Sequence, residues 1–187
     1  DDPDPATPSD EDCDGPETVI YVDPSGDNNN LGTAEAPRAT LASAITLAGT
    51  SGATQIYMLA GNHTTSSAIF LADSIDVVGG FTRSGNVWSW GGGSSTIQHD
   101  GTPSGPTAIG LSAVNLSNVT LAYLNVQVLA SPTLTGINHM GMYALNSNGL
   151  RLQNVSFDVA SGTDGQDGLT GTAGTSGAPG GLRTGGS

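Results

Sequence analysis

The chain has 187 residues, which accommodates one ordered domain with flanking polar segments and not two enzymatic domains. Four Lys plus Arg against 17 Asp plus Glu give a formal charge of −13, and there is no lysine at all. The chain therefore lacks the clustered cations that nucleic-acid binding requires, and no nucleic-acid partner is expected. Aromatics make up 5% of the residues, so a core must be assembled from Val, Leu, Ile and Ala, a supply that suits thin β layers. Cys13 has no second cysteine to pair with, and no apolar run reaches the roughly 18 to 20 residues of a membrane span. The opening Asp1-Asp2-Pro3-Asp4-Pro5 has neither a basic nor an apolar signal region. With this acidic, Ser/Thr/Asn-rich composition, an exported protein whose signal has been removed is expected, placed outside the cell or on its surface.

Residues 1–17 carry eight acids, four prolines and no base, so they read as an acidic, Pro-rich tail with nothing to fold around. Within it Asp10-Glu11-Asp12-Cys13-Asp14-Gly15 matches the first half of a calcium loop, where alternating carboxylates converge on one hard cation. Asp10, Asp12 and Asp14 are the candidate calcium ligands, although the place of the closing bidentate Glu is taken by Tyr21. Residues 18–22 form the first strand candidate, ended by the turn cluster Asp23 to Asn30. Leu41, Ala44, Ile45 and Ala48 recur at helical spacing behind Pro37 and ahead of Gly49, which predicts a short amphipathic helix over 37–48. Strands are expected at 55–61, 67–71 and 74–78, with no second helix beyond them.

Residues 117–128 overlay residues 148–159 at an offset of 31, so that Val119, Leu121, Leu124, Val126 and Val128 fall on Leu150, Leu152, Val155, Phe157 and Val159. In both copies the inward alternation slips by one residue, at Ala122-Tyr123 and at Gln153-Asn154. A slip of that kind is a corner between two sheets, as stacked solenoid coils have; an antiparallel sandwich made of the same strands is the competing arrangement. The folded domain is set at 18–160. In residues 161–187 glycine recurs at every third position in a collagen-like register. Pro179 is the one proline of that tract, where a stable triple helix needs about 15–20%, so the segment reads as a flexible or polyproline-II-like extension.

The stretch Tyr21-Val22-Asp23-Pro24-Ser25-Gly26, then Gly32-Thr33, Ala36-Pro37-Arg38-Ala39-Thr40-Leu41-Ala42-Ser43-Ala44-Ile45 and Ile56-Tyr57-Met58-Leu59-Ala60-Gly61-Asn62-His63-Thr64, resembles the opening of right-handed parallel β-helix proteins of the pectin-lyase-like superfamily. It is most similar to exported bacterial members of uncharacterised function. The resemblance implies an all-β fold, a right-handed parallel β-helix forming a short solenoid of about four coils, with an N-terminal capping helix at 37–48. No C-terminal cap is recognisable, so the last coil is expected to present an open edge.

Carbohydrate-active relatives direct attention to carboxylates and bases. Asp158, Arg151 and His139 are the first suspects for acid–base chemistry, yet Arg151 falls on Thr120 and Asp158 on Gln127 in the overlay, so no matched carboxylate pair emerges. His63, His99 and His139 lack a second ligand at coordinating spacing and read as solvated surface. Trp88 and Trp90, two residues apart on a strand, share a side and are the candidate sugar-stacking residues. The expected role is a secreted or cell-surface structural or adhesive module, possessing no recognisable catalytic set and requiring no cofactor beyond potential calcium. Its expected partners are further copies of itself or extracellular polysaccharide. A carbohydrate-binding module, and a polysaccharide lyase or hydrolase, are the alternative functions.

Overall fold

A computed structural model describes residues 19–131, 134–165, 167–177, 180–181 and 185. The apolar run after the acidic segment forms β1 (Val19–Val22), and α1 (Leu41–Ser51) follows a long turn region. Among the described residues ten further strands follow: β2 (Gln55–Leu59), β3 (Gly61–Thr65), β4 (Ile69–Phe70), β5 (Asp76–Ser84), β6 (Val87–Trp90), β7 (Ser95–His99), β8 (Thr107–Val114), β9 (Ser117–Val128), β10 (Asn138–Leu145) and β11 (Asn148–Val159). Among these residues the fold is all-β apart from one short helix.

Among the described residues every pairing between these strands is parallel except that of β5 with β6, which overturns the antiparallel sandwich. One sheet contains β1, β2, β5, β9, β7 and β3 in that order, with β11 on β9 and β6 on β5; the other runs β10, β8, β4. The offset of 31 seen in the sequence is the register of β9 on β11, from Ser117 opposite Asn148 to Val128 opposite Val159. The same offset relates β8 to β10, from Thr107 opposite Asn138 to Val114 opposite Leu145.

The chain bends at residues with left-handed backbone, and these recur at the same offset. Asn115 and Asn146 have φ of 56° and 51°, Tyr123 and Asn154 of 55° and 50°, and Asn118 of 51° faces Gly149 of 81°. Tyr123 and Asn154 are the places where the alternation slips. A single left-handed residue re-aims the strand without ending it. Side chains then point inward on both sides of the bend: Val119, Leu121, Leu124, Val126 and Val128 are all essentially solvent-free, as are Ile56, Met58, Val77, Ile97 and Leu111.

The helix starts later than its sequence pattern implied. Arg38 is drawn into the sheet beside β1, its N–H donating to Tyr21 and its carbonyl accepting from Asp23, which keeps Pro37 outside the helix. Thr40 then caps the first turn by accepting from the Ser43 N–H, and Gly52, at φ 78°, ends the helix in place of Gly49. The apolar face stands as expected: Leu41, Ala44, Ile45 and Ala48 are buried, with α1 against β1, β2 and β4. Among the described residues β10 pairs with β8 alone and β11 with β9 alone.

Candidate functional site

Tyr21 of β1, Tyr57 of β2, Val78 of β5 and Ala122 of β9 lie in register across the outer face of the larger sheet. Exposed, this row would be an apolar patch. The chain covers it by continuing β5 past Gly80 (φ 85°) and turning at Gly85 (φ 61°), so that β6 returns antiparallel with Arg83 opposite Trp88 and Phe81 opposite Trp90. Buried Ser95 anchors the departure: its hydroxyl accepts from the Gly80 N–H at 3.0 Å and donates to the Leu59 carbonyl at 2.8 Å.

Both tryptophans fall on the sheet-facing side of β6, as the alternation implied, yet their surroundings differ. Trp88 packs at 4.9 Å from Tyr21 and donates its indole N–H to the Ala34 carbonyl at 3.1 Å, with Arg83 over its ring at 5.8 Å. Arg83 in turn pairs with Asp23 at 3.0 Å and donates to the Glu35 carbonyl. Burial alone would raise the Asp23 carboxyl; hydrogen bonds from Ser25 and the Arg83 charge outweigh it and hold the group below its ordinary value. Trp88 is thus a staple between the hairpin and the loop after β1. Trp90 sits 4.9 Å from Tyr123 at a tilt of 59° and keeps 36% of its surface open. Of the two rings, Trp90 offers a ligand the larger free surface, beside a tyrosine edge and the Gly91-Gly92-Gly93 backbone.

The remaining suspects do not converge. Arg151 and Asp158 lie seven residues apart on β11, about 20 Å of strand, and His139 belongs to β10 in the other sheet. Asp158 accepts from the Gln127 amide at 3.0 Å; His139 Nδ1 contacts the Ser161 carbonyl and its Nε2 accepts from the Ser131 N–H. Asp10, Asp12 and Asp14 lie outside the described residues. Among the described residues no group of three His, Cys, Asp or Glu is placed to hold a metal ion.

Two histidines read as surface are in the interior. His63 is 6% exposed and donates through Nε2 to the Leu59 carbonyl at 2.7 Å, while its Nδ1 has no hydrogen-bond partner; His99 is 1% exposed and its Nδ1 accepts from the Gly101 N–H. Burial pushes the pKa of both down, only partly offset by the Leu59 carbonyl and Asp23 for His63 and by Asp100 for His99. The clue for His99 was its phase, since it follows Ser95 and Ile97 at alternate positions. Burial also raises the Asp76 carboxyl, against the Thr120 N–H and hydroxyl and the Arg151 charge.

Sequence reasoning missed a further surface, the polar columns outside β3, β7, β9 and β11. Asn62, Thr96, Asn125 and Ser156 stand in one column and Thr64, Gln98, Gln127 and Asp158 in the next. Ser156 donates a hydrogen bond to Asn125, the Gln98 amide donates one to the Gln127 carbonyl oxygen, and the Gln127 amide donates one to the Asp158 carboxylate. Comparison with protein-family models, curated proteins and solved structures finds no match to this chain.

Proposed function

We propose that residues 18–160 form a short right-handed parallel β-helix that serves as a secreted or cell-surface structural or adhesive module. The observation that supports this reading is the 31-residue register repeated in both sheets, with left-handed bends at matching positions. Parallel strands joined by crossovers are right-handed in nearly all folds, which supplies the hand. An outer face of amides and hydroxyls held in register across four parallel strands suits a scaffold, and the placement of Arg151 and Asp158 seven residues apart on β11 with His139 on β10 counts against catalysis on polysaccharide. Limited proteolysis tests the module: a resistant fragment bounded near residues 18 and 160 is expected, and scattered cleavage inside it would refute the reading. Release of unsaturated or reducing sugar ends from acidic and neutral polysaccharides, lost on Asp158→Asn, would establish an enzyme instead.

The partial exposure of Trp90 beside Tyr123 favours carbohydrate binding as the second reading. Affinity electrophoresis in polysaccharide gels checks it, with retardation expected for the natural chain and lost in Trp90→Ala. Equal mobility of both in every gel would remove it.

A further inference from the structure

The free edges of β10 and β11 carry the features of an interface. Leu152, Phe157 and Val159 of β11, together with Met140 of β10, are 36–46% exposed, although the three from β11 stand over Leu121, Val126 and Val128, which are solvent-free. Among the described residues no strand pairs with this side. Residues 161–164 bond only to the segment entering β10 and its first turn, with the Thr163 N–H donating to the Ile137 carbonyl and the Gly136 N–H to the Asp164 carbonyl, and the described residues from 165 to 177 are exposed and do not pack over the rest of this edge. Unpaired N–H and C=O groups beside apolar side chains form a template for another strand.

The polarity of β11 is nearly palindromic about its bend at Asn154. Read outward from the point between Asn154 and Val155, Gln153 mirrors Ser156, Leu152 mirrors Phe157, Arg151 mirrors Asp158 and Leu150 mirrors Val159. A two-fold axis through the bend exchanges the two legs of the strand and reverses its direction. It therefore lays β11 antiparallel on β11 of a second copy, with each of these residues opposite its mirror. Directly opposed residues in an antiparallel pair share a face. Leucines then meet Phe157 and Val159 on the core side, and each Arg151 meets an Asp158 on the outer side, twice. Shifting the axis to Asn154 itself would set inward residues against outward ones. The same axis turns β10 onto β10 of the partner. The far end differs: α1 lies against β1, β2 and β4, and the strand left with one partner there is β3, whose Asn62 and Thr64 are polar, so it does not match the apolar edge of β11.

From this we infer that two copies of this chain pair tail to tail through β10 and β11, forming a closed two-fold dimer held in register by reciprocal Arg151–Asp158 ion pairs. The dimer rests on the stacked β-helix reading, and it replaces open filament growth by an assembly that stops at two.

Sedimentation velocity across a concentration series of the full chain is the test. The natural chain is expected as a dimer. Arg151→Asp and Asp158→Arg each set like charges opposite one another at both symmetric places, and should weaken association by about tenfold or more. The double variant R151D/D158R restores opposite charges and should recover most of that loss; Leu152→Lys should give monomers. A natural chain that stays monomeric, grows without limit, or dimerises without rescue by the double variant would overturn the proposal, leaving the Gly-triplet segment or another protein as the cover of this edge. Proteolysis of the same samples separates the two readings. A resistant core in a monomer refutes the dimer alone, and loss of the resistant core refutes both.

Discussion

At Gly79, β5 meets the bend of β9 too closely to leave room for a side chain. A Cβ there would stand 2.4 Å from the Tyr123 carbonyl oxygen, 2.9 Å from Leu124 Cδ2 and 3.0 Å from Ser95 Cβ. Gly79 is not among the residues with positive φ, so Gly79→Ala probes close packing and not backbone handedness. Leu124 could rotate, but the carbonyl belongs to the backbone of a paired strand and would have to retreat by about 1 Å to reach ordinary contact, loosening the ladder beside it. Overpacking costs about 1–3 kcal/mol, and loss of a backbone hydrogen bond about 1 kcal/mol more. Gly79→Ala should therefore destabilise by about 2–4 kcal/mol, a fall in Tm of about 5–15 °C for a chain of this size. Gly93→Ala is the control: the same methyl meets nothing within 4 Å. It should be neutral or stabilise by up to about 1 kcal/mol through the unfolded chain. Paired thermal and urea melts read both. A Gly79→Ala variant within about 0.5 kcal/mol of the natural chain would show that β5 and β9 do not meet at this distance, and the stacked bends with them.

Leu121→Ala should cost about 2–5 kcal/mol because the side chain is fully buried, whereas Leu152→Ala, one offset of 31 later and 46% exposed, should cost less than half as much at dilutions where the chain is monomeric; equal losses in urea melts would show the last strands to be covered. Trp88→Ala should lower stability by about 2–4 kcal/mol and speed amide exchange in the loop after β1, while Trp90→Ala should cost about 1 kcal/mol; the reverse order in melts would reverse their roles. His63 and His99 hold depressed pKa values, so the unfolded chain takes up protons that the folded one resists. Their contribution is complete above the unfolded value of about 6.5 and declines as pH falls below it toward the folded values. Denaturant midpoints should thus drop between about pH 7 and 5, with a shallower slope in His63→Gln; a flat profile would place both rings in solvent.

The repeat was legible because Val119 to Val128 and Leu150 to Val159 carry one alternation with one slip, and a period-two pattern that breaks phase at matching places has few explanations. The polar columns were not, because the intervals along them are unequal: Asn62 to Thr96 is 34 residues, Thr96 to Asn125 is 29 and Asn125 to Ser156 is 31. The β5–β6 hairpin lies within the first interval, and turn excursions of this kind disguise a spatial period that strand pairing keeps constant. The helix boundary was missed for a tertiary reason: Arg38 gains a strand partner in β1, a contact that local propensity cannot register. His63 and His99 were missed because imidazole composition favours the surface, while the phase of Ser95-Thr96-Ile97-Gln98-His99 favours the interior, and phase prevails where a strand is buried on one face.

The bends explain how a chain can afford so many left-handed residues outside glycine. Each costs about 1–2 kcal/mol in isolation, which no single turn repays. Stacking supplies the compensation. Asn146 donates to Asn115 at 3.2 Å directly across the offset of 31, and Ser147, next to it, accepts from the Leu116 N–H and donates to the Ala113 carbonyl. Backbone groups that a bend frees from the ladder are thereby satisfied by side chains of the neighbouring layer, and asparagine is suited to this because it tolerates the left-handed region and carries both donor and acceptor. At this corner one bend supports the other, so the register of 31 is held there as well as along the strands. A corner at the edge, such as Asn146 or Asn154, has this support on one side only, and the same chemistry that closes the interior layers is there left facing whatever lies against β10 and β11.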